Sequence, residues 1–232
     1  TNLGYAGAVN RGLERARGRY ALVLNNDTEV SPDTLSTLTD FMDRHPRVGA
    51  ATCPLHAAPG APDALPCTNR TFPSATRVLL ENLATFTGLA WLMRRTPLAE
   101  RLWGYTLDLA REHRVEQITG AFMFVRADTI RAVGPMDEGY FLYLEETDWC
   151  YRMRQAGWEI AYTPATHAVH LGSRSTRLLP DRTAIFQASM ARFLAKHRGP
   201  LSALCYRLQV LVIERPLTPL FRLARRLAGR SD

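Results

Sequence analysis

The chain has 232 residues, of which 46% are hydrophobic and 22% are charged, a composition typical of a folded globular protein. Its formal net charge of +7 favours anionic partners such as a membrane surface or a phosphorylated substrate. No apolar run reaches the roughly 18 residues that a membrane-spanning helix needs. The four cysteines form no CxxC pair and give no sign of a zinc finger or a disulfide framework. We therefore expect a globular protein of a reducing compartment, the cytoplasm.

The first clear elements alternate between strand and helix. Tyr20–Leu24 is a continuous apolar run of strand length, and Val48–Cys53 is a second one. Between them, Ser31 followed by proline predicts the start of a helix whose apolar stripe begins at Leu35. Farther along, Gln117–Arg126 predicts another strand. This alternation predicts an α/β protein with a mostly parallel sheet, in which ligands bind at the carboxyl ends of the strands.

Polar side chains that follow the first strand are candidate metal ligands. Asn25 and Asp27 stand at alternate positions, so both can point into one cleft, and their oxygen atoms suit Mg²⁺ or Mn²⁺. Asn and Asp are also common in turns, where they form local hydrogen bonds. His170 follows a later apolar strand and can complete an O/O/N ligand set, although it and His167 can equally be structural. These residues alone leave both interpretations open.

A second cluster consists of acidic residues. Glu145, Glu146 and Asp148 place three carboxylates within four positions. Their mutual repulsion costs stability unless a cation or a function offsets it, and one of them can act as a general base. The alternative is the start of a helix, where acids interact favourably with the macrodipole, and Asp148 suits that structural role. The spacing alone does not decide between the two.

The order and spacing of these motifs together resemble family 2 glycosyltransferases of the GT-A fold, especially the rhamnosyltransferase-like and galactofuranosyltransferase-like members. The resemblance covers roughly residues 1–198 and is weak between 54 and 116. The segments that match the family's motifs are Asn2–Gly12, Leu24–Thr28, Thr119–Arg126, Val133–Glu138, Phe141–Arg152 and His170–Ser175.

The resemblance implies a Rossmann-like nucleotide-diphospho-sugar transferase fold with helices flanking the sheet. Asn25 and Asp27 match the ends of the family's DxD-type motif, which binds a divalent metal (Mg²⁺ or Mn²⁺) and the diphosphate of the nucleotide-sugar donor. Asn25 stands where the strict motif has an acid. His170 matches a histidine that can complete the metal shell.

The resemblance also implies catalytic and donor-binding positions. Glu146 matches the second acid of the family's ED motif, the catalytic base, where most members have Asp; Glu145 is the first acid and belongs with it. Gly4 and Asn10 lie where the donor pocket continues. Family members begin with a strand–helix–strand unit that holds the nucleobase and ribose. The chain starts just after that point, so we expect a GT-A domain without this N-terminal unit.

We expect a catalytic domain over residues 1–198 and a basic amphipathic helical tail over 199–232. The tail has one apolar stripe from Leu201 to Val212 and another from Leu217 to Ala228, with arginines mainly on the opposite face of the second. Such helices lie on anionic membrane surfaces. The alternative is a helix that packs on the catalytic domain.

The implied function is that of an inverting glycosyltransferase. It would transfer a sugar from a donor such as dTDP-rhamnose or a UDP-sugar to a hydroxyl of a cell-surface polysaccharide or lipid-linked glycan, at the inner face of the plasma membrane. The alternative from another class is a non-catalytic GT-A-like module that binds anionic glycan or membrane. No nucleic-acid-binding motif is present, so nucleic acid is not an expected partner.

Overall fold

A computed structural model describes residues 2–61, 69–89, 108–172 and 181–219. No helix within these ranges is both long enough and apolar enough to cross a membrane. The elements in chain order are α1 (Gly4–Leu13), β1 (Tyr20–Leu24), β2 (Thr28–Val30), α2 (Thr34–Arg44), β3 (Val48–Thr52), β4 (Leu55–His56), β5 (Asn69–Arg70), α3 (Ala75–Phe86), β6 (His113–Val115), β7 (Gln117–Ile118), β8 (Phe122–Arg126), α4 (Ala127–Val133), α5 (Glu145–Gln155), β9 (Glu159–Tyr162), β10 (Ala168–His170), α6 (Arg182–Arg198), α7 (Pro200–Gln209) and a π-helical segment (Val210–Glu214).

Five strands form the main sheet, in the order β1-β8-β3-β9-β6. The α/β class is confirmed, but the expectation of a mostly parallel sheet is wrong for the described strands. β1, β3 and β9 do run in one direction, whereas β8 lies between β1 and β3 and runs in the opposite one, and β6 is antiparallel to β9. A strand buried on both faces is a continuous apolar run whichever way its neighbour runs. The sequence pattern therefore could not reveal the inserted antiparallel strand.

Helix α2 packs on the main sheet and closes its core. Its Leu38, Phe41 and Met42 are fully buried in a cluster with residues of β3 and β8. Leu35, predicted to start the same stripe, is exposed instead. Thr34 takes the buried position in that first turn, where its hydroxyl is hydrogen-bonded to the Thr166 hydroxyl at 3.1 Å.

A second sheet has three short strands in the order β2-β10-β4. β10 runs antiparallel to β2, so that His170 lies opposite Thr28. The backbone N–H of Leu171 donates to the carbonyl oxygen of Asp27 at 3.0 Å and extends this pairing by one residue. The small sheet therefore brings His170 beside the residues that follow β1.

The predicted strand Gln117–Arg126 is divided in the structure. β7 pairs with β5, β8 joins the main sheet, and residues 119–121 form a turn between them. The carbonyl oxygen of Ala121 accepts a hydrogen bond from the backbone N–H of Asn25 at 3.1 Å. This turn therefore lies next to the end of β1.

The chain divides into two compact units. The first comprises the described residues within Thr1–Phe72 and Gly104–Phe186 and contains the three sheets; the second comprises those within Pro73–Trp103 and Gln187–Asp232. The predicted boundary between 198 and 199 does not coincide with this division. In the second unit α7 packs against α3, an element from much earlier in the chain, and the Gln209 amide donates to the Ala75 carbonyl oxygen at 3.1 Å. The predicted stripe from Leu217 to Ala228 lies mostly outside the described residues.

Candidate active site

A cleft of about 850 Å³ lies in the first unit, where β1 ends. Its apolar lining comes mainly from α1 and β1. Five of the seven predicted site residues line it, whereas Gly4 and Asn10 do not. The polar and ionisable side chains that line it are Tyr5, Asn25, Asn26, Asp27, Thr119, Tyr143, Glu145, Glu146, His170 and Arg182.

The three predicted metal ligands meet at one end of the cleft. The Nε2 atom of His170 lies 3.2 Å from Oδ1 of Asp27 and 3.4 Å from Nδ2 of Asn25. The Asp27 and His170 side chains are only 14% and 16% exposed. Because β10 pairs with β2, residues 145 positions apart in sequence are held in contact.

This donor set fits a divalent cation such as Mg²⁺ or Mn²⁺. In octahedral coordination with bonds of about 2.0–2.1 Å, adjacent ligand atoms lie about 3 Å apart, close to the separation of Asp27 Oδ1 and His170 Nε2. A half-turn of the Asn25 amide would present its oxygen to the same point. Carboxylate and amide oxygens with one imidazole suit Mn²⁺, and the oxygens also suit Mg²⁺. Among the described residues no group of three His, Cys, Asp or Glu side chains gathers in this way, so a cation here would need further oxygen ligands from substrate or water.

The two glutamates lie at the start of α5. The residues before them, Tyr143 and Leu144, have φ angles of 69° and 64°, a left-handed backbone that costs non-glycine residues about 1–3 kcal/mol each. The Tyr143 ring makes an edge contact with Phe186 at 5.9 Å between centroids, and Leu144 is buried. Consecutive strained residues persist only where the surrounding structure holds them, and they are concentrated at functional sites. Here they set the direction in which α5 leaves the cleft.

Glu145 and Glu146 differ sharply in environment. Glu145 is only 3% exposed, and its Oε2 has no hydrogen-bond partner. Burial, reinforced by the charge of Glu146, raises the pKa of the Glu145 carboxyl to about 9. Glu145 is therefore protonated at neutral pH, whereas Glu146 is half-buried and also lines the cleft. Adjacent acids with divergent environments commonly take different roles in proton transfer.

Asp148, the third acid of the cluster, has a structural role. It is fully buried, and one oxygen accepts a 2.8 Å hydrogen bond from Nε of Arg152 while the other is 3.4 Å from the Tyr140 hydroxyl. Arg152 in turn donates to the Pro135 carbonyl oxygen at 2.7 Å. Asp148 therefore ties α5 to the turn after α4 and does not line the cleft.

Tyr5 is a site residue that the sequence analysis missed. Its hydroxyl donates to the Gly120 carbonyl oxygen, and burial, followed by the charges of Glu146 and Glu145, raises its pKa. A side chain at position 120 would lie 3.2 Å from the Tyr5 oxygen, so glycine permits this close approach. The tyrosine joins α1 to the turn between β7 and β8 beside the glutamate pair. It belongs to the segment that matches the family motif, but the motif alone does not indicate this contact.

Gly4 and Asn10, the predicted donor-pocket residues outside the cleft lining, hold α1 in place. Gly4 has φ 73°, and a Cβ there would collide with the carbonyl oxygen of Phe141. The Asn10 amide donates to the Met136 carbonyl oxygen and to Glu138, and its own oxygen accepts from the Met136 N–H, each at 2.9 Å. Both residues therefore attach α1 to the segment between α4 and α5, and their direct role toward a donor stays a prediction.

Arg182 is a second site residue that the sequence analysis missed. It lies at the start of α6 and supplies the only guanidinium among the described lining residues. A guanidinium in a cleft with carboxylates and a candidate cation site can pair with a diphosphate in a bidentate manner. No motif surrounds it in the sequence, so nothing distinguished it from the many other arginines.

Comparisons with known proteins show similarity to glycosyltransferases. A family profile described as Glycosyl transferase family 2 matches residues 1–102. N-acetylglucosaminyl-diphospho-decaprenol L-rhamnosyltransferase of Mycobacterium tuberculosis is 29% identical over 214 residues, which is 85% of this chain and 66% of that protein. Rhamnosyltransferase WbbL of Escherichia coli is 35% identical over 85 residues, 36% of this chain and 32% of that protein. The chain thus spans slightly less than two thirds of the length of its mycobacterial relative.

Solved structures show the same fold at low sequence identity. GalNAc-T7 with UDP, GalNAc and Mn²⁺ matches with a TM-score of 0.54 at 13% identity, covering 82% of this chain and 34% of that one. Mannosyltransferase PcManGT from Pyrobaculum calidifontis, in complex with GDP-Man and Mn²⁺, matches with a TM-score of 0.50 at 14% identity, covering 97% of this chain and 55% of that one. The chain therefore has a GT-A fold, is similar over residues 1–102 to glycosyltransferase family 2, and is similar in sequence to rhamnosyltransferases.

Proposed function

We propose that the protein is an inverting, metal-dependent glycosyltransferase that uses a nucleotide-diphosphate sugar. The observation that supports this most strongly is that Asp27 and Asn25 lie 3.2 Å and 3.4 Å from Nε2 of His170, in the same cleft as Glu146. A cation-binding donor set and a carboxylate base are the two elements that such a transfer needs.

In the proposed reaction, an acceptor hydroxyl attacks the anomeric carbon of the donor sugar. Glu146 takes the hydroxyl proton as the new C–O bond forms, and the bond between the anomeric carbon and the diphosphate breaks with its electron pair on the leaving oxygen. Direct displacement inverts the anomeric configuration. Asp27, His170 and Asn25 would hold a divalent cation, which would supply a Lewis acid to offset the charge on the leaving diphosphate. Arg182 pairs with the same diphosphate.

The relatives suggest the classes of donor and acceptor. Both curated relatives are named as rhamnosyltransferases, and one is named for an acceptor built on diphospho-decaprenol. We therefore propose a donor such as dTDP-rhamnose, with UDP-sugars as the next class to test, and an acceptor hydroxyl on a lipid-linked glycan of cell-envelope polysaccharide synthesis. The corresponding location is the cytoplasmic face of the plasma membrane, with segment 199–232 at its surface.

The test is a panel of nucleotide-sugars with the full-length protein, in Mn²⁺, in Mg²⁺ and after chelation. We expect one donor class to be turned over with a soluble acceptor analogue, and turnover to disappear after chelation. Product released with retained anomeric configuration would contradict the inverting mechanism. Undiminished turnover after chelation would contradict metal dependence, and absence of turnover with every donor would contradict the proposed function.

A further inference from the structure

The second unit carries an unusual apolar surface on α7 and the π-helical segment. Five large side chains there are exposed to solvent, and we call them the leucine row. They are Leu201 at 71%, Leu204 at 53%, Leu208 at 50%, Leu211 at 58% and Val212 at 68% exposure. By α-helical periodicity they fall within an arc of about 100°, so they form one contiguous stripe. Single exposed leucines are ordinary, whereas a contiguous stripe indicates a binding surface.

The opposite face of the same helix is buried within the second unit. Ala203, Tyr206 and Val210 are buried. Glu214, at the end of the π-helical segment, accepts hydrogen bonds from Asn82 at 2.8 Å and from Gln187 at 2.9 Å. These contacts fix the rotation of the helix within its unit. The leucine row therefore cannot turn inward without breaking a packed and hydrogen-bonded face.

The charged side chains near the leucine row indicate what kind of surface it binds. Residues 200–219, which carry the row, contain two arginines and one acid, Glu214, which accepts hydrogen bonds from Asn82 and Gln187. Arg207 and Arg215, on either side of Leu211, are exposed. Two copies meeting through this face would bring like charges together, which opposes self-association. An anionic surface with an apolar interior instead satisfies both the leucines and the arginines.

We propose that the leucine row inserts into the interfacial region of an anionic lipid bilayer, with α7 lying parallel to the membrane plane. The bilayer removes the leucines from water, and its anionic headgroups attract Arg207 and Arg215. The inference deepens the proposed function, because a lipid-linked acceptor is met at such a surface. The biological purpose of this membrane binding rests on the proposed function, whereas the experiment that tests the binding does not.

The test measures binding of the full-length protein to vesicles of equal parts phosphatidylglycerol and phosphatidylcholine. Cys205 lies in α7 and is exposed, whereas Cys53 and Cys150 are buried, so an environment-sensitive fluorophore can be placed at Cys205 after Cys67→Ser. We expect a blue shift on vesicle addition, and a weaker response with pure phosphatidylcholine or in high salt.

Substitution of the leucine row gives the decisive comparison. Leu204→Gln/Leu208→Gln should weaken partitioning at least about tenfold, since each leucine loses a large part of its burial in lipid. Leu35→Gln is the matched control, because Leu35 is 52% exposed on α2 of the other unit, and it should change nothing. Circular dichroism and turnover of a soluble acceptor should be the same in all three proteins.

Three results would overturn the inference. The double variant could bind vesicles as tightly as the wild-type protein, or Leu35→Gln could weaken binding equally. Light scattering could instead show a wild-type dimer that the double variant loses while vesicles bind neither protein, in which case the row is a protein interface. Vesicle binding through the leucine row without turnover of any nucleotide-sugar would contradict the proposed function, but it would still support membrane binding by the row.

Discussion

Replacement of Glu145 by glutamine should stabilise the protein, increasingly so as the pH rises. The carboxyl is buried, its Oε2 lacks a partner, and its pKa is raised to about 9, while in an unfolded chain it titrates near about 4.3. Between these values the folded protein holds a proton that the unfolded chain releases. The ionisation of Glu145 therefore leaves the wild-type free energy of unfolding unchanged below pH about 4, and it lowers that free energy as the pH rises toward 9.

The size of the effect follows from proton linkage. The slope is at most about 1.4 kcal/mol per pH unit, so the wild-type protein loses up to about 3 kcal/mol relative to Glu145→Gln between pH 6 and pH 8. For a chain of this length, that corresponds to a difference in Tm of roughly 5–10 °C. Glutamine keeps the shape of the side chain and cannot ionise, so the variant lacks this slope.

The assay is urea denaturation of both proteins at a series of pH values from 5 to 9, followed by far-UV circular dichroism. The quantity that matters is the difference in unfolding free energy between variant and wild type, because other titrating groups cancel in it. Glu29→Gln, on exposed β2, is the control and should show a flat difference. A flat difference for Glu145→Gln as well would refute the interpretation that Glu145 is protonated in the folded state.

Three further predictions concern catalysis. Glu146→Gln should lower turnover by roughly 10²–10⁴-fold with donor binding retained; a far larger loss in correctly folded Asp148→Asn would identify a different base. Asp27→Ala should abolish Mn²⁺-dependent binding of a nucleoside diphosphate in titration calorimetry, whereas Asp33→Ala, an exposed acid before α2, should not. Arg182→Ala should raise the donor KM roughly 10–100-fold with a smaller change in kcat, as expected for loss of a charge-assisted hydrogen bond; an unchanged donor KM would exclude a contact with the diphosphate.

Local pattern predicted the elements on which the site is built. The apolar run Tyr20–Leu24 is a strand, and Asn25 and Asp27 do follow it at the cleft. The acidic cluster does open a helix, and Asp148 has the structural role that was considered for it. These features depend on neighbours in sequence, which is why the pattern could reveal them.

Contacts between distant segments were not predictable in the same way. The strand β10 has only three residues, and no periodicity in so short a segment indicates that it pairs with β2 and carries His170 to Asp27. The resemblance to a known family suggested that meeting, whereas local pattern did not. The contact of Tyr5 with Gly120 and the position of Arg182 were missed because neither leaves a compositional signal.

The neutral form of Glu145 also bears on how the cleft can hold a donor. Asp27 and Glu146 bring two negative charges, and a diphosphate brings about two more, against Arg182 and a divalent cation. A charged Glu145, away from water and beside Glu146, would add repulsion without a partner to offset it. Burial prevents this by keeping the proton on Glu145. The same proton stops Glu145 from acting as a base at neutral pH, which is why the proposed mechanism assigns that role to Glu146.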